Sequence, residues 1–251
     1  MKLNYQELEN NDTVSKTYIG YKKNKIENQT KNFQYVKSSF TVTYIFLLTT
    51  ATITFIEAMR TNSLLVRHVM NLETAISLIA GYFYSTFIED IKKYQENNKV
   101  IDWANISITR YLDWAMTTPL ILLVLCLVLS HNIQKMITLK VISGIIILNY
   151  AMLYFGYLGE VKYINRFYSM FFGFIAFFGL FYLIFINYVA PKFVKTNYIL
   201  FTFYTIIWGF YGIVFMFNEE YKNIATNILD CISKCLVGIG FWLYFTKIIV
   251  L

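Results

Sequence analysis

The chain has 251 residues, of which 57% are hydrophobic, 19% aromatic and 15% charged, with a formal net charge of +7. A soluble domain of this length needs far more polar surface, and a disordered chain far fewer apolar residues. The basic excess lies in a polar head and in short connections between apolar blocks, a membrane-topology pattern, so no nucleic-acid partner is expected.

Residues 1–37 are polar and mixed in charge, hold no secretory signal and are expected to form a separate head outside the membrane. Residues 38–251 carry apolar blocks near 39–59, 69–89, 107–130, 136–158, 166–189, 196–217 and 223–250. A helical span needs about 20 residues to cross about 30 Å of hydrocarbon. The expected fold is therefore all-α, a seven-helix membrane bundle.

Orientation follows from the connections. Those after blocks one, three and five carry Arg60, Arg67, Lys135, Lys192 and Lys195 and no acid. Those after blocks two, four and six carry Glu89, Asp90, Glu96, Asp102, Glu160, Glu219 and Glu220. The first set should be cytoplasmic, with the amino terminus outside and the carboxyl terminus inside. Asn11, Asn28 and Asn105 begin N-x-[ST] sequons on the expected outer side. Cys126, Cys231 and Cys235 lie within apolar blocks with no CxxC pair or His cluster, so neither disulfides nor a metal site is expected.

Ionisable residues inside a membrane are costly and need a reason. In block seven, Asp230 and Lys234 are four apart and share a helical face. In block three, Arg110 and Asp113 are three apart and also share one. A lone lysine in apolar surroundings tends to lose its proton; two aspartates nearby would hold it cationic, with Arg110 balancing the excess negative charge. Such a cluster either ties two helices or serves a lysine that forms an imine with a carbonyl cofactor.

Here the residues resemble a family. RYLDWAMTTPLILL is similar to the third helix of microbial (type 1) rhodopsins, and DCISK to the retinal-binding lysine motif of their seventh. MLYFGYLGE (152–160) resembles the fourth helix of proteorhodopsin-like members, WGFYGIVF (208–215) the sixth-helix pocket, and FIEAM around Glu57 the end of the first helix. NLETAISLIAGYFYS (71–85) resembles the second helix of giant-virus rhodopsins.

The resemblance implies all-trans retinal on Lys234 as a protonated Schiff base, Asp113 as primary proton acceptor and Asp230 as second counter-ion. It puts Arg110 on their outer side, Thr117 on the Asp113 carboxylate, and Tyr84 and Tyr211 on Asp230. Trp114, Ile121, Met152, Gly156, Trp208, Tyr211 and Phe215 would line the polyene, with Thr118 and Asn149 at an interhelical contact nearby. Ile121, Gly173 and Ser233 fall where colour is tuned. An aromatic, apolar pocket with polar groups only at the imine end suits such a ligand.

The sequence also departs from the family. Val124 stands eleven residues after Asp113, where proton pumps place a carboxylic donor, so reprotonation from the cytoplasm should be slow. Gly212 replaces a sixth-helix proline. Glu220 matches one member of the proton-release pair, but the partner position holds Lys222. Glu73 reads either as a membrane-edge carboxylate or as a surrogate donor or cation gate. Asn223 and Asn227 continue the Asp230 face outward.

The leading expectation is a retinal-binding, light-gated cation channel, from Val124, Glu73, Asn223 and Asn227. A light-driven outward proton pump is the second reading, and a sensory photoreceptor, with no signalling domain beside the spans, the third. None is an enzyme. The expected partners are the lipid bilayer and small cations or protons; homo-oligomerisation is open.

Overall fold

In the computed structural model, residues 34–97 and 101–246 are described; the expected head, with Asn11 and Asn28, lies almost wholly outside them. The chain divides into two compact units, Met1–Ser38 and Ser39–Leu251. The helices are α1 (Gln34–Arg60), α2 (Leu64–Glu96), α3 (Trp103–Asn132), α4 (Leu139–Glu160), α5 (Arg166–Val189), α6 (Lys195–Val214) and α7 (Glu219–Phe245). No strand occurs among the described residues.

Six of these helices are long and apolar enough to cross a membrane by length and composition; α2 is not among them. Its sequence explains the difference from the expected seven. Arg67, His68, Asn71, Glu73 and Thr74 crowd its first turns. Even so, Val69, Met70, Glu73, Ile76, Ser77, Ala80 and Tyr84 are buried, so α2 is a full member of the bundle.

Several helices overrun the apolar blocks because their capping residues lie beyond them. Ser63 Oγ accepts from Val66 N, Asp102 Oδ1 from Asn105 N at 3.1 Å, Asn165 Oδ1 from Phe167 N at 2.8 Å, and Asn218 Oδ1 from Tyr221 N at 3.2 Å. Each satisfies a first-turn N–H that has no intrahelical acceptor. The long polar connection read between blocks two and three shrinks to residues 97–102, because α2 continues to Glu96 and Asp102 caps α3. Asn105 is an exposed residue at the start of α3.

Each helix turns a large apolar side chain outward, among them Phe55, Leu78, Leu112, Ile147, Phe178, Ile206 and Ile228. In water this would be a liability; in lipid it is the solvent-facing surface. Arg60, Arg67, Lys135, Lys192 and Lys195 stand at the α1–α2, α3–α4 and α5–α6 junctions, called here the basic end, and Glu89, Asp90, Glu96, Asp102, Glu160, Glu219 and Glu220 at the other helix ends, called the acidic end.

Two local departures from α-geometry matter. Pro119 lies inside α3 and lacks the N–H that would bond the Ala115 carbonyl. Tyr150 of α4 donates its hydroxyl to that carbonyl at 3.2 Å. In α7, Cys231–Leu236 is a π-helical segment, and it carries Lys234. Such single-turn widenings redirect side chains and recur at functional positions.

Candidate functional site

At mid-bundle, Lys234 Nζ lies 2.9 Å from Asp113 Oδ2 and 3.4 Å from Asp230 Oδ1. The three side chains are at most 1% exposed. The i, i+4 spacing on α7 brings Asp230 to the lysine; α3 supplies Asp113 from across the bundle.

The two carboxylates are solvated unequally. Asp230 accepts from Tyr84 Oη at 2.8 Å and Tyr211 Oη at 2.7 Å, and pairs with Arg110 Nη1 at 3.4 Å. Asp113 has Lys234 on one oxygen; Thr117 Oγ1, bonded to the Asp113 backbone carbonyl at 2.9 Å, lies 3.3 Å from the other. Hydrogen bonds donated to a carboxylate stabilise its charged form. Asp230 is thus the better-held anion, and Asp113 the carboxylate with fewer donors.

Arg110 is fastened on the acidic-end side of this group. Its Nη2 donates to Asn227 Oδ1 at 2.9 Å and Asn223 Oδ1 at 3.1 Å, and its Nη1 to the Tyr84 oxygen at 3.2 Å. Its guanidinium also packs against the rings of Phe40, Tyr84 and Phe87, 5.1–5.8 Å from their centroids. Asn223 and Asn227, read from the sequence as pore residues, therefore serve as arginine ligands in this conformation.

From Lys234 a cavity runs between α3, α4, α5 and α6. Trp114, Thr118, Ile121, Met152, Gly156, Trp208, Tyr211 and Phe215 all line it. Tyr84 and Thr117 are not on its wall; they bind the carboxylates instead. Asn149 Nδ2 donates to Thr118 Oγ1 at 2.8 Å, and Thr118 donates to the Trp114 carbonyl.

The α5 wall, Met170, Gly173, Phe174 and Phe177, was largely missed from the sequence. From Met170 to Phe181 α5 holds only Met, Phe, Gly, Ile, Ala and Leu, so this stretch offers no polar landmark to set its register. Gly156 and Gly212 let aromatic rings pack directly on their backbone: a Cβ on either would come 2.5 Å from Tyr111 Oη or Phe174 Cζ. Gly212, noted only as a missing proline, is thus where Phe174 passes α6.

The cavity also reaches Ser107, Arg110, Asn223, Glu160 and Lys222. There Lys222 Nζ lies 2.8 Å from both Glu160 oxygens and 2.7 Å from Glu219 Oε2. Arg166 also pairs with Glu160 and Glu219. Glu160 and Glu219 both pair with Lys222, the residue that stands where the second acid of the proton-release pair is expected. A helix starting at Glu219 turns positions 219 and 222 to one side, one turn apart.

Among the described residues no group of three or more His, Cys, Asp or Glu is placed to hold a metal.

A helical membrane bundle with a buried lysine between two carboxylates, at the end of an aromatic cavity, is the architecture of a retinal protein. The chain belongs to the bacteriorhodopsin-like family, whose model matches residues 34–248. Membership implies a retinal chromophore and an integral membrane protein. The cavity fits such a group: its walls are mainly aromatic and aliphatic between Trp114, Trp208 and Phe177, and Lys234 stands at one end.

Among solved structures, the chain is similar to the viral rhodopsin OLPVRII, at 39% identity and a TM-score of 0.79, over 86% of this chain and 99% of that one. It shares the fold of the proton-pumping rhodopsin AR2 from the marine alga Acetabularia acetabulum, at 21% identity and a TM-score of 0.69, over 85% and 96%. The same holds for the blue light-absorbing proteorhodopsin from Med12, at 21% identity and a TM-score of 0.66, over 85% and 97%. No curated protein sequence matched significantly.

Proposed function

We propose that this protein is a light-driven proton transporter with retinal on Lys234, oriented with its acidic end outside and its basic end in the cytoplasm. All-trans retinal, joined through its aldehyde carbon to Lys234 Nζ, supplies visible absorption and a light-induced isomerisation. The residues named on the cavity wall hold the polyene, and Trp114 and Trp208 confine it.

One observation carries the reading: Lys234 Nζ touches Asp113 directly while Asp230 is held by two tyrosines and Arg110. In the dark both carboxylates balance the nitrogen's charge. When the Lys234 nitrogen gives up a proton, Asp113 Oδ2 is the acceptor within hydrogen-bond reach and the carboxylate with fewer competing donors. Arg110 and Asp230 then keep the outer side charged, which favours exit in that direction.

The cytoplasmic side supports transport over a standing pore. Val124, Leu125, Met70 and Ile76 are fully buried in one apolar cluster. Among the described residues two carboxylates are buried on that side: Glu57, engaged by Arg60 and Trp242 Nε1, and Glu73, which is 1% exposed and keeps one oxygen without a partner. Its Oε2 lies where a Cβ on Gly238, four residues past Lys234, would sit 3.1 Å away. We assign Glu73 as the donor that returns a proton to Lys234, in place of the residue absent at Val124.

A light-gated cation channel is the second reading, and the sequence alone ranks it first. Its support is the polar stretch of cavity wall from Lys234 past Arg110 and Asn223 to Glu160. Voltage-clamped photocurrents separate the two. A pump gives outward current at zero voltage that does not reverse, and illuminated vesicles show uncoupler-sensitive proton movement. A current that reverses at the equilibrium potential of a cation overturns the pump in favour of the channel.

A further inference from the structure

Five buried polar atoms in the basic-end half have no hydrogen-bond partner among the described residues: Thr50 Oγ1, Glu73 Oε1, Ser77 Oγ, Tyr188 Oη and Tyr204 Oη. Their residues are at most 1% exposed. A buried polar group left without a partner costs about 1–3 kcal/mol, so five in one half of the bundle call for polar occupants.

They come from α1, α2, α5 and α6. Ser77 is one turn from Glu73 on α2. Tyr188 of α5 and Tyr204 of α6 belong to one buried cluster with Cys126 of α3 and with Met70 and Ile76, which flank Glu73 on α2. The last turn of α5, Phe185–Val189, is π-helical, and it buries Tyr188 and Val189 together. The Tyr188 ring sits beneath Lys135, with Nζ 5.8 Å from the ring centroid. Lys135 is exposed in the loop after α3. Polar atoms without a partner thus lie both near the basic surface, where Lys135 covers the Tyr188 ring, and at Glu73, within an interior that is mainly apolar.

We infer that Tyr188 and Tyr204, with water held between them, form the proton-uptake relay that recharges Glu73 from the cytoplasm. The inference rests on the donor role given to Glu73 above. The step balances without ionising a phenol. Glu73 gives its proton toward Lys234 and becomes a carboxylate. The Tyr204 side of the chain then supplies a proton to Glu73, each hydroxyl or water passing one on and receiving one from the next. The last proton comes from solvent near Lys135. Neutral hydroxyls suit a route lined by Leu125, Val128 and Leu129, where a permanent charge would be costly.

The test uses the full chain with retinal in lipid vesicles. Tyr204→Phe and Tyr188→Phe remove one hydroxyl each and keep the ring, and an intact visible band reports correct folding. After a flash, each should slow recovery of the band about a hundredfold, the low end of the range lost with one proton-transfer group. Added azide, a small proton carrier, should restore the rate. Glu73→Gln is the reference. If it leaves recovery unchanged, the donor role itself fails. If it slows recovery and neither tyrosine variant does, or if slowing resists azide, the relay is overturned. An independent readout uses protein without retinal: X-ray hydroxyl-radical footprinting should label Tyr188 and Tyr204 well above the equally buried Phe87. Labelling no higher than that of Phe87 also overturns the relay.

Discussion

The bundle is built differently on the two sides of Lys234. Toward the acidic end, Arg110, Tyr84, Asn223, Asn227, Tyr211 and Asp230 form one hydrogen-bonded group, and Glu160, Glu219, Lys222 and Arg166 form another beyond it. Toward the basic end, Leu122, Val124, Leu125, Val128 and Leu129 fill the interior; Thr54, Thr74, Asn197 and Glu57 find protein partners there, while Thr50, Glu73, Ser77, Tyr188 and Tyr204 each bury a polar atom without one among the described residues. A charge created on the first side meets preorganised dipoles; one created on the second meets hydrocarbon. The contrast teaches that direction in such a protein is set by unequal solvation around a single nitrogen. The ionisable residues matter through that environment.

The largest change that tests this contrast removes its centre. Lys234→Ala should abolish the visible band in protein supplied with retinal; a surviving band would show that the chromophore is held elsewhere. Next, Asp113→Asn leaves Lys234 beside Asp230 but deletes the acceptor. Light-driven proton release should fall by at least about a hundredfold, as when a positioned proton-transfer group is lost. If Asp230→Asn proved the more damaging to proton transfer, the assignment of the two carboxylates would be reversed.

Arg110→Met sharpens the comparison through stability. It leaves Asp230 without its guanidinium and Asn223 and Asn227 without their shared donor, at a cost of about 3–5 kcal/mol for a broken buried pair. Thermal loss of the visible band should move to markedly lower temperature. An unchanged midpoint would mean that the acidic-end group is not a structural unit. The smallest effect is expected from Asn149→Ala. It removes one interhelical bond to Thr118 and should cost about 1 kcal/mol, with a slight shift in the absorption maximum. A loss several times larger would place Asn149 in a wider network than its single bond to Thr118.

Much of the charged centre was legible because helical spacing is a local property. Asp230 and Lys234, or Asp113 and Thr117, must share a face once their segments are helical. Motif resemblance added the pocket residues of α3, α4 and α6 but few from α5, whose run of Phe and Gly has no polar marker. The apolar blocks already gave seven helices; α2, with its polar first turns, is the one whose membership rests most on packing.

The primary structure by itself determined an all-helical membrane chain with a lysine and two aspartates at its heart, since apolar run length and residue periodicity act along the chain. Only the folded bundle decided what those groups touch. It committed Asn223 and Asn227 to Arg110, matched Lys222 with Glu160 and Glu219, and left Glu73, Tyr188 and Tyr204 with buried oxygens that no group among the described residues meets. Contacts between helices depend on rotation and offset, which no spacing within one helix encodes.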